Sequence, residues 1–298
     1  MSSRVLHHLL SMATDEASRR RTREIRTMPA KLKHLAIVSD QYTLLERFYG
    51  AMFGMKPSPD NPPAGAVVVS DGYVGLNINP RKGKAGRQAG LDHFGFEVED
   101  VESIVAKMRE KYPEINILKR PGSREFAGIT THDPAGNVFD LSQPGMENRR
   151  DVYIEEERLQ DRHIKHIALR TVNAAGVAQF YREVLELAEL EKPSNDPNFY
   201  FTDGRVVFMI MPWNIKDFLG TGVERPALDH IGFKVESVDT VRRELDSLIK
   251  KRAPLAPNPV GEAAGPEGEA RLKLFSKCPF GEFYMSDPDG VLIDVAEK

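Results

Sequence analysis

The sequence predicts an α+β fold built from four βαβββ modules, and three observations carry that expectation. A short apolar run with His in its third place occurs four times. A segment with apolar residues at helical spacing follows each run after a polar break. A late Asp-Pro-x-Gly turn leading into a strand pattern occurs in the second and fourth copies. Such self-similarity marks a duplicated supersecondary unit.

The four runs are Leu32 to Val38, Leu91 to Val98, Ile164 to Arg170 and Leu228 to Val235, carrying His34, His93, His166 and His230. They are rich in strand-forming residues. The helical periodicity predicts helices near 41–53, 100–112, 174–187 and 238–250. Resemblance between copies alternates. The first and third helices carry Phe48-Tyr49 and Phe180-Tyr181, each pair beginning 14 residues after its His; these aromatics read as core. The second and fourth copies share Leu-Asp-His-x-Gly-Phe-x-Val-Glu at 91–99 and 228–236. Their turns start at Asp133 and Asp287, and a carboxylate follows 7 residues later, at Asp140 and Asp294. Shorter strands are expected at 67–69, 73–78, 199–201 and 206–211, with Asp71-Gly72 and Asp203-Gly204 as turns.

The order is therefore module pair, linker, module pair. Residues 1–30 form a tail, 31–147 the first unit, 148–162 a highly charged linker and 163–298 the second unit. The tail carries Arg19, Arg20, Arg21, Arg23 and Arg26 with little apolar periodicity, and its one apolar stretch is too short for a secretory signal. Met28-Pro29-Ala30 reads as a natural start. With 298 residues, 41% hydrophobic and 29% charged, the composition is ordinary globular chemistry. A net charge of −3 gives no reason to expect nucleic acid or an anionic membrane as partner. Cys278 is the single cysteine, so no intrachain disulfide or thiolate cluster can form. No apolar run reaches the length of a membrane span. A cytoplasmic protein with a small-molecule partner is expected, and self-association into a homo-oligomer stays open.

This grammar of His strand, Phe-Tyr helix, Asp-Pro-x-Gly turn and carboxylate strand resembles the vicinal oxygen chelate superfamily. That group includes glyoxalase I, extradiol dioxygenases, methylmalonyl-CoA epimerase and the bleomycin- and fosfomycin-resistance proteins. The resemblance implies that paired modules curl into two U-shaped sheet units around a metal, as in two-domain extradiol dioxygenases, although the first unit of those enzymes usually lacks the ligands that this chain keeps. It implies ligand sets His166, His230, Asp294 in the second unit and His34, His93, Asp140 in the first. Two imidazoles and a carboxylate suit Fe(II) best, with Mn, Ni or Zn as alternatives. A lone strand His is more often structural, but equivalent positions in a repeat change that balance. Arg170 is in phase with His166 and is expected to bind an anionic substrate group.

The tail from Phe283 to Asp294 is similar to the extradiol signature, and Tyr284 matches that family's active-site tyrosine. Two departures stand out. Asp294 replaces the expected Glu, and Phe275-Ser276-Lys277 lies where an acid/base His belongs. Thr130 takes the place of Tyr284 in the first unit. The fourth-ligand positions of glyoxalase-type sites align with Asn77 and Met209, neither a good donor, which favours three-ligand chemistry. The leading expectation is an extradiol-type ring-cleaving dioxygenase or related non-haem Fe(II) oxygenase. A glyoxalase- or epimerase-type lyase or isomerase comes second, and a metal-free small-molecule binding protein, for which Trp213 is a hint, third. The Gly- and Glu-rich insertion 261–270 reads as a solvated loop.

Overall fold

The four His runs form the central strands of two sheets. The computed structural model describes residues 30–58, 66–81, 88–122, 126–146 and 160–297. The tail expected at 1–30 (apart from Ala30) and most of the linker lie outside them.

The first sheet contains β1 (Ala30–Ser39), β2 (Lys56–Pro57), β3 (Val67–Ser70), β4 (Gly75–Pro80), β5 (Gly90–Val98), β6 (Leu118–Lys119), β7 (Ile129–His132) and β8 (Val138–Ser142). Its order is β2-β3-β4-β1-β5-β8-β7-β6. The second contains β9 (His163–Thr171), β10 (Ala188–Glu189), β11 (Phe199–Thr202), β12 (Val207–Pro212), β13 (Ala227–Lys234), β14 (Phe283–Ser286) and β15 (Leu292–Ala296). Its order, β10-β11-β12-β9-β13-β15-β14, repeats the first without an equivalent of β6. In each sheet the two His strands are antiparallel neighbours, and each also has a parallel partner on its other side.

Helices α1 (Tyr42–Phe53), α2 (Val101–Lys111), α3 (Ala174–Val184) and α5 (Val238–Lys251) follow the four His strands, close to the expected bounds, and the short α4 (Ile215–Phe218) follows β12. Asp100 caps α2 by accepting from the amides of Glu102 and Ser103, and Ser237 caps α5 through Thr240. The insertion is not a loop. Residues 261–264 form a 3-10 turn and α6 (Gly265–Phe275) follows, with Pro266 in its first turn. Composition suggested a loop, but Pro266 is at home at a helix start, and Phe275 anchors the far end at 1% exposure.

Strand alternation gives each sheet two characters. On β1, Leu35 and Ile37 point to the helices, while His34, Ala36 and Val38 point the other way. The helix-bearing faces of both sheets contribute to one apolar core. The repeated signals explain how. Tyr49, on α1, donates its hydroxyl to Asp287 of the second unit at 3.1 Å, and Tyr181, on α3, donates to Asp133 of the first at 3.3 Å. A buried tyrosine needs a partner for its hydroxyl, and each Phe-Tyr helix finds one in the other unit's Asp-Pro turn. The rings of Phe96 and Tyr181, and of Phe233 and Tyr49, stand 5.9 and 6.3 Å apart at equivalent places.

The Asp-Gly turns also join the units. Asp71 caps its own turn through the amides of Tyr73 and Val74 and accepts from Ile164 N at 2.8 Å. Asp203 does the same for Arg205 and Val206 and accepts from Leu32 N at 2.7 Å. Each contact fixes the start of a His strand in the opposite unit. Losing one would strand buried amides, at about 1–3 kcal/mol each.

Burial pushes the Asp287 carboxyl up to about 7, against its hydrogen bonds from Val291, Tyr49 and Asp289. The folded chain thus keeps a proton that the unfolded chain, titrating near about pH 4, has lost. The associated stability is present in acid and disappears as pH rises through about 7. Asp287→Asn keeps an acceptor without the charge. Its urea midpoint, relative to wild type, is expected to climb from about pH 5 to about pH 8; a gap independent of pH would refute this.

Candidate metal centre

On the face of each sheet away from the helices, three ligand atoms converge. In the first cup His34 Nε2 lies 3.2 Å from His93 Nε2, and these nitrogens lie 3.9 and 3.2 Å from Asp140 Oδ2. In the second, Asp294 Oδ2 lies 3.2 Å from His166 Nε2 and 3.4 Å from His230 Nε2. All six residues are buried, none more than 4% exposed. The structure thus brings together both sequence-read triads. Asp294 reaches the imidazoles despite being a methylene shorter than Glu.

The local backbone aims these side chains. Asp92 and Asp229 are bulged, facing no single residue across β1 or β9: His93 pairs with Ala36 while Leu91 pairs with Ile37, and His230 pairs with Ala168 while Leu228 pairs with Leu169. A bulge breaks strand alternation and re-aims its neighbours. Asp92 Oδ2 consequently sits 2.6 Å from His93 Nδ1, and Asp229 Oδ2 2.7 Å from His230 Nδ1. Sequence reading missed both acids, although Asp before His in the second and fourth copies was their signal.

Glycine makes room for the other imidazole. A Cβ on Gly232 would lie 1.9 Å from His166 Cε1, and one on Gly95 would lie 2.5 Å from Phe126 Cε1 and 3.1 Å from His34 Cβ. The glycine in the shared Leu-Asp-His-x-Gly-Phe string is therefore the floor under a His ring. Phe126 stacks on His34 at 4.7 Å between centroids, and Phe280 packs on His166 at 5.1 Å.

The donor set fits a divalent cation. A carboxylate only accepts, so Nδ1 of His93 and of His230 carries the ring proton. Without a proton on Nε2 each ring turns a lone pair towards the acid; at His93 burial opposes the proton, but Asp140 and Asp92 outweigh it and raise the ring's pKa, so a cation there would displace a proton. Asp140 Oδ2, Asp294 Oδ2 and His230 Nε2 are buried with no hydrogen-bond partner. Lone pairs facing one another without water or a proton are costly. A cation about 2.1 Å from each donor would place neighbouring donors roughly 3.0–3.4 Å apart, the range seen for most pairs. Burial lowers His230, and Asp229 only partly offsets this, so the ring is held in the neutral form that ligates.

The cups differ in their surroundings. Thr130 donates to Asp140 Oδ1 at 2.6 Å. Its counterpart Tyr284 also stands opposite its acid, Asp294, but donates to the Gly281 carbonyl at 2.9 Å. Arg170 is on the cup face and pairs through Nε with Asp229 at 2.7 Å, as Arg271 from α6 does through Nη2. Burial pushes Asp229 up, but the two guanidiniums outweigh it and hold the acid ionised. Arg170 also lines a cleft of about 470 Å³ with Arg271, Arg225 and Glu267. Asn77 and Met209 face the cups opposite Ala36 and Ala168. Cys278, overlooked in the sequence as a donor, lies 3.8 Å from His166 Nε2. Phe275 covers His230 at 4.6 Å. Trp213 donates its indole N–H to the Val223 carbonyl. No helix among the described residues is long and apolar enough to cross a membrane.

Gly232→Ala is expected to displace His166 and remove about half of the bound divalent metal, leaving the first cup loaded; Gly95→Ala should do the reverse. Metal counted per chain in each purified variant checks this, and undiminished content in both would contradict it.

Residues 31–141 match the family model described as Glyoxalase/Bleomycin resistance protein/Dioxygenase superfamily. No curated protein matches the chain by sequence. Among solved structures, the Mn(II)-bound glyoxalase from Novosphingobium aromaticivorans is similar at TM-score 0.59 and 16% identity, covering 89% of this chain and 81% of that one. The 2,3-dioxygenase LapB from Pseudomonas sp. KL28 is similar at TM-score 0.57 and 17% identity, with 89% and 91% covered. BphC, a halotolerant catechol dioxygenase, is similar at TM-score 0.56 and 13% identity, with 89% and 85% covered. Likeness at these identities shows a shared fold. The first unit thus matches this family model, and the second unit repeats the first unit's strand order.

Proposed function

We propose that the protein is a divalent-metal enzyme acting on a small substrate that chelates through two neighbouring oxygens, most closely an extradiol-type ring-cleaving dioxygenase. The observation that carries this reading is the pair of buried triads, each with one acid oxygen, Asp140 Oδ2 or Asp294 Oδ2, that lacks a hydrogen-bond partner. His34, His93 and Asp140 would hold one cation, and His166, His230 and Asp294 the other. Fe(II) is the proposed ion, with Mn(II) the nearest alternative; bound there, it would supply Lewis-acid activation of a chelated diol and one-electron chemistry with dioxygen.

The chain's own groups would do the rest. Asp92 and Asp229 fix the tautomer and orientation of His93 and His230. Arg170 and Arg271 keep Asp229 charged, and Arg170 can turn its remaining donors to an anionic substrate. Tyr284, on leaving the Gly281 carbonyl, would donate to a substrate oxygen beside Asp294. The apolar side chains Ala168, Tyr200, Met209 and Phe280 exclude water from the second cup.

A lyase or isomerase would need a positioned base where glyoxalase-type sites place a carboxylate. Met209 and Asn77 at those positions cannot take a proton, which favours the oxygenase reading. Oxygen uptake by Fe(II)-loaded protein on a panel of catechols is the test. Consumption is expected with wild type and a fall of at least about 100-fold in the His34→Ala, His166→Ala double variant. Metal bound without uptake on any catechol, but with isomerisation of a hemithioacetal to an α-hydroxy thioester, would move the protein to the lyase class.

A further inference from the structure

The two cups carry the same triad, and the chain's single cysteine stands beside the second. Cys278 is buried at 5% exposure, in the segment between α6 and β14. Its Sγ lies 3.8 Å from His166 Nε2, and one donor atom from each of His166, His230, Asp294 and Cys278 lies within 4.8 Å of the others. A second observation points to the same space: His230 Nε2 and Asp294 Oδ2, on residues 0% and 1% exposed, are aimed into it without a partner. The thiol also contacts the Met209 sulfur at 3.9 Å, a weak acceptor, and stands within hydrogen-bonding reach of Asp294. Around one tetrahedral cation, a sulfur at about 2.3 Å and a nitrogen at about 2.1 Å would stand roughly 3.6 Å apart.

We propose that Cys278 is a fourth ligand in the second cup, making it a His-His-Asp-Cys site for a thiophilic cation such as Zn(II) or Co(II). The first cup, which has no thiol because the chain has one cysteine, would keep its three-ligand set of nitrogen and oxygen. This rests on the reading that each triad holds a cation. On binding, the S–H bond breaks, a sulfur–metal bond forms and the proton passes to solvent, with no change of oxidation state. A thiolate shifts preference towards softer ions. The cups would then load different metals from a mixture.

Metal-free full-length protein titrated with Co(II) tests this. Wild type should bind two equivalents and develop a sulfur-to-cobalt charge-transfer absorption in the near ultraviolet. His34→Ala should lose one equivalent and keep that absorption. Cys278→Ser should lose the absorption, release one proton fewer and bind Zn(II) at least about tenfold more weakly in the second cup. Its remaining first-cup cobalt spectrum reports that the variant is folded. Two bound cobalt ions without the absorption in wild type would overturn the role of Cys278 alone. No bound cobalt in either cup would overturn the metal reading as well.

Discussion

Lone pairs that face one another inside a buried cup are the constraint around which this molecule is arranged. In each unit an acid oxygen and imidazole nitrogens crowd into a few ångströms, and the acid oxygen lacks a hydrogen-bond partner. Nothing in strand propensity or apolar packing would favour this. Strands with only a structural role would place aliphatic side chains there. The glycine floors, the bulges and the outer Asp partners all make sense as parts that keep the imidazoles turned inward.

The duplication gives the cups their rigidity. A cup needs two His strands held in register, and the chain fixes each from the opposite unit. Asp71 grips the start of β9 and Asp203 the start of β1, while Tyr49 and Tyr181 bond to the Asp-Pro turns across the interface. With a core shared between the sheets, the units support one another. The Asp-Pro-x-Gly turns occupy the second and fourth modules because those modules receive the tyrosines of the third and first.

Much of this was legible beforehand because duplication fixes offsets. His34, His93, His166 and His230 share one module position, and Asp140 and Asp294 share another, so the triads could be named without coordinates. The helix bounds followed from apolar spacing. What escaped was set by departures from regular geometry or by tertiary contact. Asp92 and Asp229 precede a His, and simple alternation puts consecutive side chains on opposite faces; only the bulges bring each acid to its imidazole. Helix α6 escaped because Gly, Ala and Glu up to residue 270 suggest a loop, while its anchors, Arg271 on Asp229 and Phe275 on His230, lie beyond that stretch. Cys278 carried no motif at all. Its meaning comes from a fold that returns residue 278 to residue 166.

Crystals grown with Mn(II), with anomalous diffraction collected from them, address the central claim most directly. The account predicts one peak among His34, His93 and Asp140 and one among His166, His230 and Asp294, each in bonding contact with its three side chains. Empty cups, with the rings rotated to hydrogen-bond their acids, would contradict it.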